Sequence, residues 1–271
     1  MARIGYWFVL GLLVVTGCDQ AAPEPSTLDV QAHNATKLGE LTRADVAYTT
    51  GQVSPLQAEG QLYGYLESAD LVYWQTSWED DAAGCMVQLG SSPGEERESG
   101  VHAGKLGVQF SGKPVLVLGE LSTHASAPLT VDGESQAAKE APITLRRLDA
   151  QAGNLTLRLA DAVEGLARWD RNLFWEAQSG VRVIDELDFE LGVRGELVFR
   201  WPLATSEQPT ITQEDKRTVV EWSDAAMVIQ TDSPVTITPV THGAYTVLEV
   251  ETTKRPASLK MLTRILPSKK D

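Results

Sequence analysis

The chain has 271 residues, 42% of them hydrophobic and 22% charged, which is enough apolar material for one large buried core. Its 37 acidic side chains against 23 lysines and arginines leave a formal net charge of −14 at pH 7, and such a surface repels nucleic acid and anionic lipid, so neither is expected as a partner. No long stretch repeats its apolar residues at helical spacing, which sets aside a βα architecture in favour of an all-β one.

The chain opens with one basic residue, Arg3, an apolar run from Ile4 to Val15, and then Val15-Thr16-Gly17-Cys18. This is the pattern of a bacterial signal peptide ending in a lipobox, with residues 1–17 removed and the thiol of Cys18 the point of lipid attachment. About a dozen apolar residues fall short of a hydrocarbon core roughly 30 Å thick, so a transmembrane helix is disfavoured. The expectation is a cell-envelope lipoprotein, held at a membrane by its N-terminal lipid and facing the periplasm. Asp19 resembles an inner-membrane retention signal, and the choice of inner or outer membrane stays open. Residues 18–45, with Pro23 and Pro25, read as the lipidated cysteine and an extended tether, and residues 46–271 as a single domain.

Leu62–Leu66 and Asp70–Trp78 read as consecutive aromatic-rich strands. Tyr73, Trp74 and Trp78 are candidate platforms for a sugar ring; alternation puts Trp74 and Trp78 on one face, which serves equally well as core. Once Cys18 is lipidated, Cys85 is the remaining thiol and has no disulfide partner in the chain. A small buried apolar residue is its simplest role, and a redox or nucleophilic group the alternative. Ser91–Gly100 is a polar loop.

The stretch Val101–Gln136 organises the rest. Leu106, Val108 and Phe110 share one face of a strand with Gly107 and Gln109 on the other, Ser111-Gly112 turns the chain, and Val115–Leu118 returns as its partner. Asp132-Gly133 supplies a second turn of the kind that accepts positive φ. His102 and His124 stand near strand ends. From Ile143 onward, short strands recur about every ten residues with Pro, Gly, Ser and Asp between them, which argues for a large antiparallel β-sandwich.

These words resemble the C-terminal β-sandwich of heparinase II/III-type polysaccharide lyases, a supersandwich-like domain. Its pattern is roughly Gly-His-Ala-His-x-Asp, then Gly-x-Pro-(apolar)-Asp-x-Gly, then His-Asn/Ser-Thr-(apolar)-Val-Asp-Gly-x-Gln. Here they correspond to Val101-His102-Ala103-Gly104, Gly112-Lys113-Pro114-Val115-Leu116-Val117-Leu118-Gly119, and His124 through Leu129-Thr130-Val131-Asp132-Gly133-Glu134-Ser135-Gln136. Downstream, Ala167–Trp175 resembles the family's arginine-bearing strand and Val181–Leu187 its apolar-Asp-x-Leu strand.

The resemblance implies that His102, in the place of the family's first histidine, is a candidate acid–base or charge-neutralising residue. His124, Arg168, Arg171, Trp74 and Trp78 are candidate substrate contacts. It also implies that two of three zinc ligands are replaced, by Gly104 and Leu118. His124 remains as the remnant of that site, and one imidazole cannot hold an ion that takes four ligands, so no metal and no cofactor is expected. The family's β-elimination removes the C5 proton of a uronic-acid sugar while its carboxylate is neutralised, and much of the machinery lies in a helical toroid for which this chain has no room. The reading is therefore a non-catalytic module that binds or handles polysaccharide, including acidic polysaccharide, with Arg168, Arg171, Arg182, Arg194 and Arg200 as the basic residues that could gather against it. The alternatives are a polysaccharide lyase (a carbon–oxygen lyase) or lyase subunit completed by a helical-toroid partner protein, and a structural envelope lipoprotein.

Overall fold

The computed structural model describes residues 62–66, 71–77, 81–89, 103–118, 127–135, 143–148, 152–177, 179–214, 216–242 and 245–268. Cys18, Asp19 and the tether, Trp78, the Ser91–Gly100 loop, His102 and His124 lie outside them. The described chain forms two large antiparallel sheets. The first runs β1 (Tyr63–Leu66), β2 (Leu71–Gln75), β3 (Gly84–Gln88), β4 (Leu106–Phe110), β5 (Lys113–Leu116), β12 (Leu197–Leu203), β17 (Tyr245–Thr252) and β16 (Val235–His242), with β6 (Leu129–Val131) paired to β12 and β7 (Glu134–Ser135) to β6. The second runs β13 (Thr210–Glu214), β14 (Arg217–Trp222), β15 (Ala225–Thr231), β18 (Ser258–Pro267), β11 (Gly180–Phe189), β10 (Leu166–Glu176), β9 (Ala152–Arg158) and β8 (Ile143–Leu148).

Both turns expected from the sequence form. Phe110 pairs with Lys113 across Ser111-Gly112, whose φ angles are 49° and 70°, and Val131 pairs with Glu134 across Asp132-Gly133, at 49° and 84°. Two consecutive positive φ values in a two-residue loop are the tight hairpin turn whose twist matches that of its strands. Asp132 also ties its hairpin down: Oδ1 accepts from the Glu196 backbone N–H at 3.0 Å and from Arg255 Nη2 at 2.6 Å.

In the second sheet and in β12, apolar and polar residues alternate as burial does. The inward set includes Trp169, Leu173 and Trp175 of β10, Val183 and Leu187 of β11, Met261 and Ile265 of β18, and Phe199 and Trp201 of β12. These side chains from the two sheets fill one core, as expected of a sandwich whose inner faces meet. Edge strands are blunted: β16 carries Pro239, which donates no ladder hydrogen bond, and β13 is short and mostly exposed.

The middle of the first sheet departs from the alternation. Gly107 and Gln109 lie on the face opposite Leu106, Val108 and Phe110, yet all five residues of β4 are buried. Gln109 is accommodated there because its Nε2 donates to the Ala82 carbonyl at 3.3 Å. Strand β3, around Cys85, and strand β13 are additional to those read from the sequence.

Candidate functional site

Alternation along β10 that points Trp169, Leu173 and Trp175 inward must also point Arg171 inward, and the same parity on β11 carries Asp185 in with Val183 and Leu187. The register sets Arg171 directly opposite Asp185. The result is an ion pair inside the sandwich, with Arg171 2% exposed and Asp185 0% exposed. Arg171 Nε donates to Asp185 Oδ1 at 2.7 Å and Nη2 to Oδ2 at 3.0 Å, a bidentate fork. Trp169 Nε1 donates to the same Oδ1 at 2.9 Å.

The third guanidinium nitrogen crosses to the other sheet. Arg171 Nη1 donates to the Gly104 carbonyl at 2.7 Å, and the guanidinium carbon lies 5.5 Å from the Trp169 ring centroid and 5.4 Å from that of Trp201, which belongs to β12. Arg171 therefore fastens the turn before β4, the turn that follows His102, to the interior of the second sheet. Gly104 suits that close approach: its φ is +87°, and a Cβ there would stand 3.1 Å from Leu159 Cδ1 and 3.4 Å from Arg171 Cδ. The turn is also tied to β3 by the Gly104 N–H on the Gln88 carbonyl at 2.8 Å.

The sequence-predicted site residues separate. Arg168 sits on the outer face of β10, where its guanidinium meets Asp170 Oδ2 at 2.7 Å, Glu186 Oε2 at 2.6 Å and Asp188 Oδ2 at 3.7 Å. The hydrogen bond to Asp170 is the main reason its pKa is raised further. The Lys260 ammonium, 2.6 Å from Glu186 Oε1, is the first cause holding the Glu186 carboxyl below its ordinary range, and Arg168 adds to it. Arg171 is committed to Asp185, and Arg200, in the first sheet, to Glu249 at 2.9 Å. Arg182 lies on the outer face of β11 and Arg194 in the exposed connection from β11 to β12. The five arginines do not gather into one basic site.

Trp74 is core and offers no sugar platform. It is 1% exposed, its ring centroid is 6.4 Å from that of Trp175, and it presses into the second sheet where Gly153 leaves room: a Cβ on Gly153 would fall 1.8 Å from Trp74 Nε1. Tyr73, 2% exposed, is buried too, and desolvation pushes its hydroxyl pKa up. Cys85 is a free, buried thiol whose pKa burial pushes far up, which suppresses the reactive thiolate.

Two residues went unassigned in the sequence reading. Asp185 was quoted only as part of a strand pattern, although its parity with Val183 and Leu187 was a signal that it points inward. Lys105, next to the anchored Gly104, is partly buried, and desolvation lowers its pKa to about 8. A lysine whose pKa is brought this far towards neutrality is a group able to take part in proton transfer. Among the described residues, no three His, Cys, Asp or Glu side chains converge as metal ligands would.

No protein-family model and no curated protein sequence matches the chain. Solved structures do resemble it. The heparan sulfate lyase HepC from Pedobacter heparinus superimposes with a TM-score of 0.60 at 16% identity, over 85% of this chain and 40% of the lyase. A heparinase III, the BT4657 gene product, gives 0.59 at 15% identity over 78% and 36%, and another heparinase III gives 0.57 at 13% over 77% and 37%. The chain thus spans well under half the length of these enzymes, and at such identities the likeness establishes the fold, a heparinase-like β-sandwich.

Proposed function

We propose that this chain is a cell-envelope lipoprotein, anchored through Cys18 and facing the periplasm, whose heparinase-like sandwich binds acidic polysaccharide without cleaving it. The observation that carries the reading is the pairing of a lyase-type sandwich with an arginine spent on structure: Arg171, on the strand that resembles the lyases' arginine-bearing strand, is buried against Asp185. Gly104 and Leu118, where the resemblance would place zinc ligands, have no donor side chains. Among the described residues there is no α-helix that would correspond to the toroid implied by the resemblance.

One observation favours a lyase as a second reading. Lys105, with its lowered pKa, adjoins the turn that Arg171 anchors and stands three residues after His102. In that case His102 and Lys105 would share the proton transfers of β-elimination, and a helical-toroid partner chain would supply the remaining groups.

The test is to incubate the full chain, in mild detergent, with a panel of uronate polysaccharides, following ultraviolet absorbance of unsaturated product alongside retardation in polymer-containing gels. Retardation without absorbance is the expected result. Absorbance that rises and is lost in His102→Ala replaces the binding module by the lyase, and neither signal leaves the structural lipoprotein.

A further inference from the structure

The outer face of the second sheet carries a pair of arginines that its fold does not require. Arg182 of β11 and Arg264 of β18 are exposed and stand directly opposite each other in register. Cross-strand partners lie about 5 Å apart, and like charges in that arrangement destabilise a sheet. Several other exposed cations are paired: Arg168 meets three carboxylates, Lys260 meets Glu186, Arg217 meets Glu214 and Arg255 meets Asp132. With 37 acidic residues in the chain, carboxylates are abundant, yet none among the described residues bridges Arg182 or Arg264. Glu176, two positions along β10 from the Phe174 that faces Arg182, is exposed and bridges neither.

The pair is also presented in an ordered way. The Arg182 guanidinium carbon sits 4.3 Å from the centroid of the Phe174 ring, which limits the freedom of that side chain. The same register row continues through Phe174 to Asn154, and the adjacent row holds half-buried Asn172, Ile184 and Leu262. Two adjacent guanidinium forks beside amide groups and a low aliphatic floor fit an oxyanion that offers paired oxygens and is carried on a partly apolar ring.

We propose that Arg182 and Arg264, with Phe174 beneath Arg182, form an anion subsite on this outer face that takes a carboxylate or sulfate group of an acidic polysaccharide. This deepens, and rests on, the polysaccharide-binding reading above. A nucleic-acid strand, with a phosphate about every 3.4 Å, calls for a long basic track; two adjacent arginines on a chain of net charge −14 suit a polymer whose anions are sparser.

The experiment uses the full chain in mild detergent and measures retardation by polygalacturonate, heparan sulfate, neutral dextran and single-stranded DNA at several salt concentrations. Acidic polysaccharide is expected to retard the protein and dextran is not. Arg264→Thr and Arg182→Ser should each weaken that binding at least about tenfold, since each removes a charge-assisted fork. The melting temperature of Arg264→Thr should stay equal or rise because a like-charge contact is removed, so a folding defect cannot mimic the loss. Arg255→Ser, which removes a charge already paired with Asp132, should bind as the parent does. Parent-level binding in both subsite variants overturns the subsite while leaving the binding-module reading in place. Failure of the parent to bind either acidic polysaccharide removes both, and tighter binding to DNA overturns the assignment of the ligand.

Discussion

Cutting the inter-sheet ion pair from either end is expected to cost far more than removing it whole. In Asp185→Ala the guanidinium keeps the Gly104 carbonyl and two indole faces but loses its counter-ion, and Trp169 Nε1 loses its acceptor. In Arg171→Met the Asp185 carboxylate keeps one indole N–H, and the Gly104 carbonyl loses the guanidinium. A charge left without its partner in a core costs about 3–5 kcal/mol. For a domain of this size that is a fall in Tm of roughly 8–15 °C. Arg171→Met combined with Asp185→Leu leaves no buried charge, only the Gly104 carbonyl and the Trp169 indole N–H to be resatisfied, and should lie within about 2 kcal/mol of the parent because the desolvation of both ions is removed with them. Urea unfolding followed by tryptophan fluorescence is a suitable assay, since Trp169 and Trp201 flank the guanidinium. The reasoning is refuted if either single substitution costs less than about 1 kcal/mol at unchanged m, or if the double substitution costs the sum of the singles.

Gly153→Ala should destabilise the sandwich by about 3 kcal/mol or more, because the new methyl would overlap the Trp74 indole. Combining it with Trp74→Leu should cost less than the two changes added, and strict additivity in thermal unfolding would show that the two sites do not touch. Lys105 has a folded pKa of about 8 against an ordinary value of 10.5. Below pH 8 the folded protein carries a desolvated ammonium, and between 8 and 10.5 the unfolded chain binds more protons, so stability rises with pH through that window. Lys105→Met should therefore stabilise by about 1–3 kcal/mol at pH 7, with the gain fading towards pH 10.5 in urea titrations at stepped pH; a pH-independent effect would contradict the assignment. The buried Cys85 thiol should react with a maleimide only in denaturant, and rapid native labelling would place it at the surface. Metal analysis of purified protein should find no stoichiometric zinc; one tightly bound ion per chain, lost in His124→Ala, would overturn the correspondence drawn for Gly104 and Leu118.

Local sequence carried the turns and most of the strands. Ser111-Gly112 and Asp132-Gly133 adopt the positive φ values their residue types admit, and the strand periodicity from Ile143 onward reappears as two antiparallel sheets. The period of two also held the key to Arg171 and Asp185, since each is flanked at i±2 by apolar residues that had to face inward. Their meeting, however, depends on the register of β10 against β11, and the third hydrogen bond reaches Gly104, 67 positions away in the chain.

What the amino-acid sequence determined by itself was the class of structure, because backbone preference and side-chain alternation act over a few neighbouring residues. Tertiary structure alone decided which faces are covered. Alternation leaves Trp74 free to be platform or core, and the space over Gly153 on the other sheet makes it core. It likewise says only that Gln109 faces away from Leu106, Val108 and Phe110, whereas the fold buries both sides of β4. The five arginines part company for the same reason: strand parity and sheet membership put Arg171 in the core, Arg168 and Arg182 on the outer face of the second sheet and Arg200 on the first sheet, while Arg194 falls in the connection between β11 and β12.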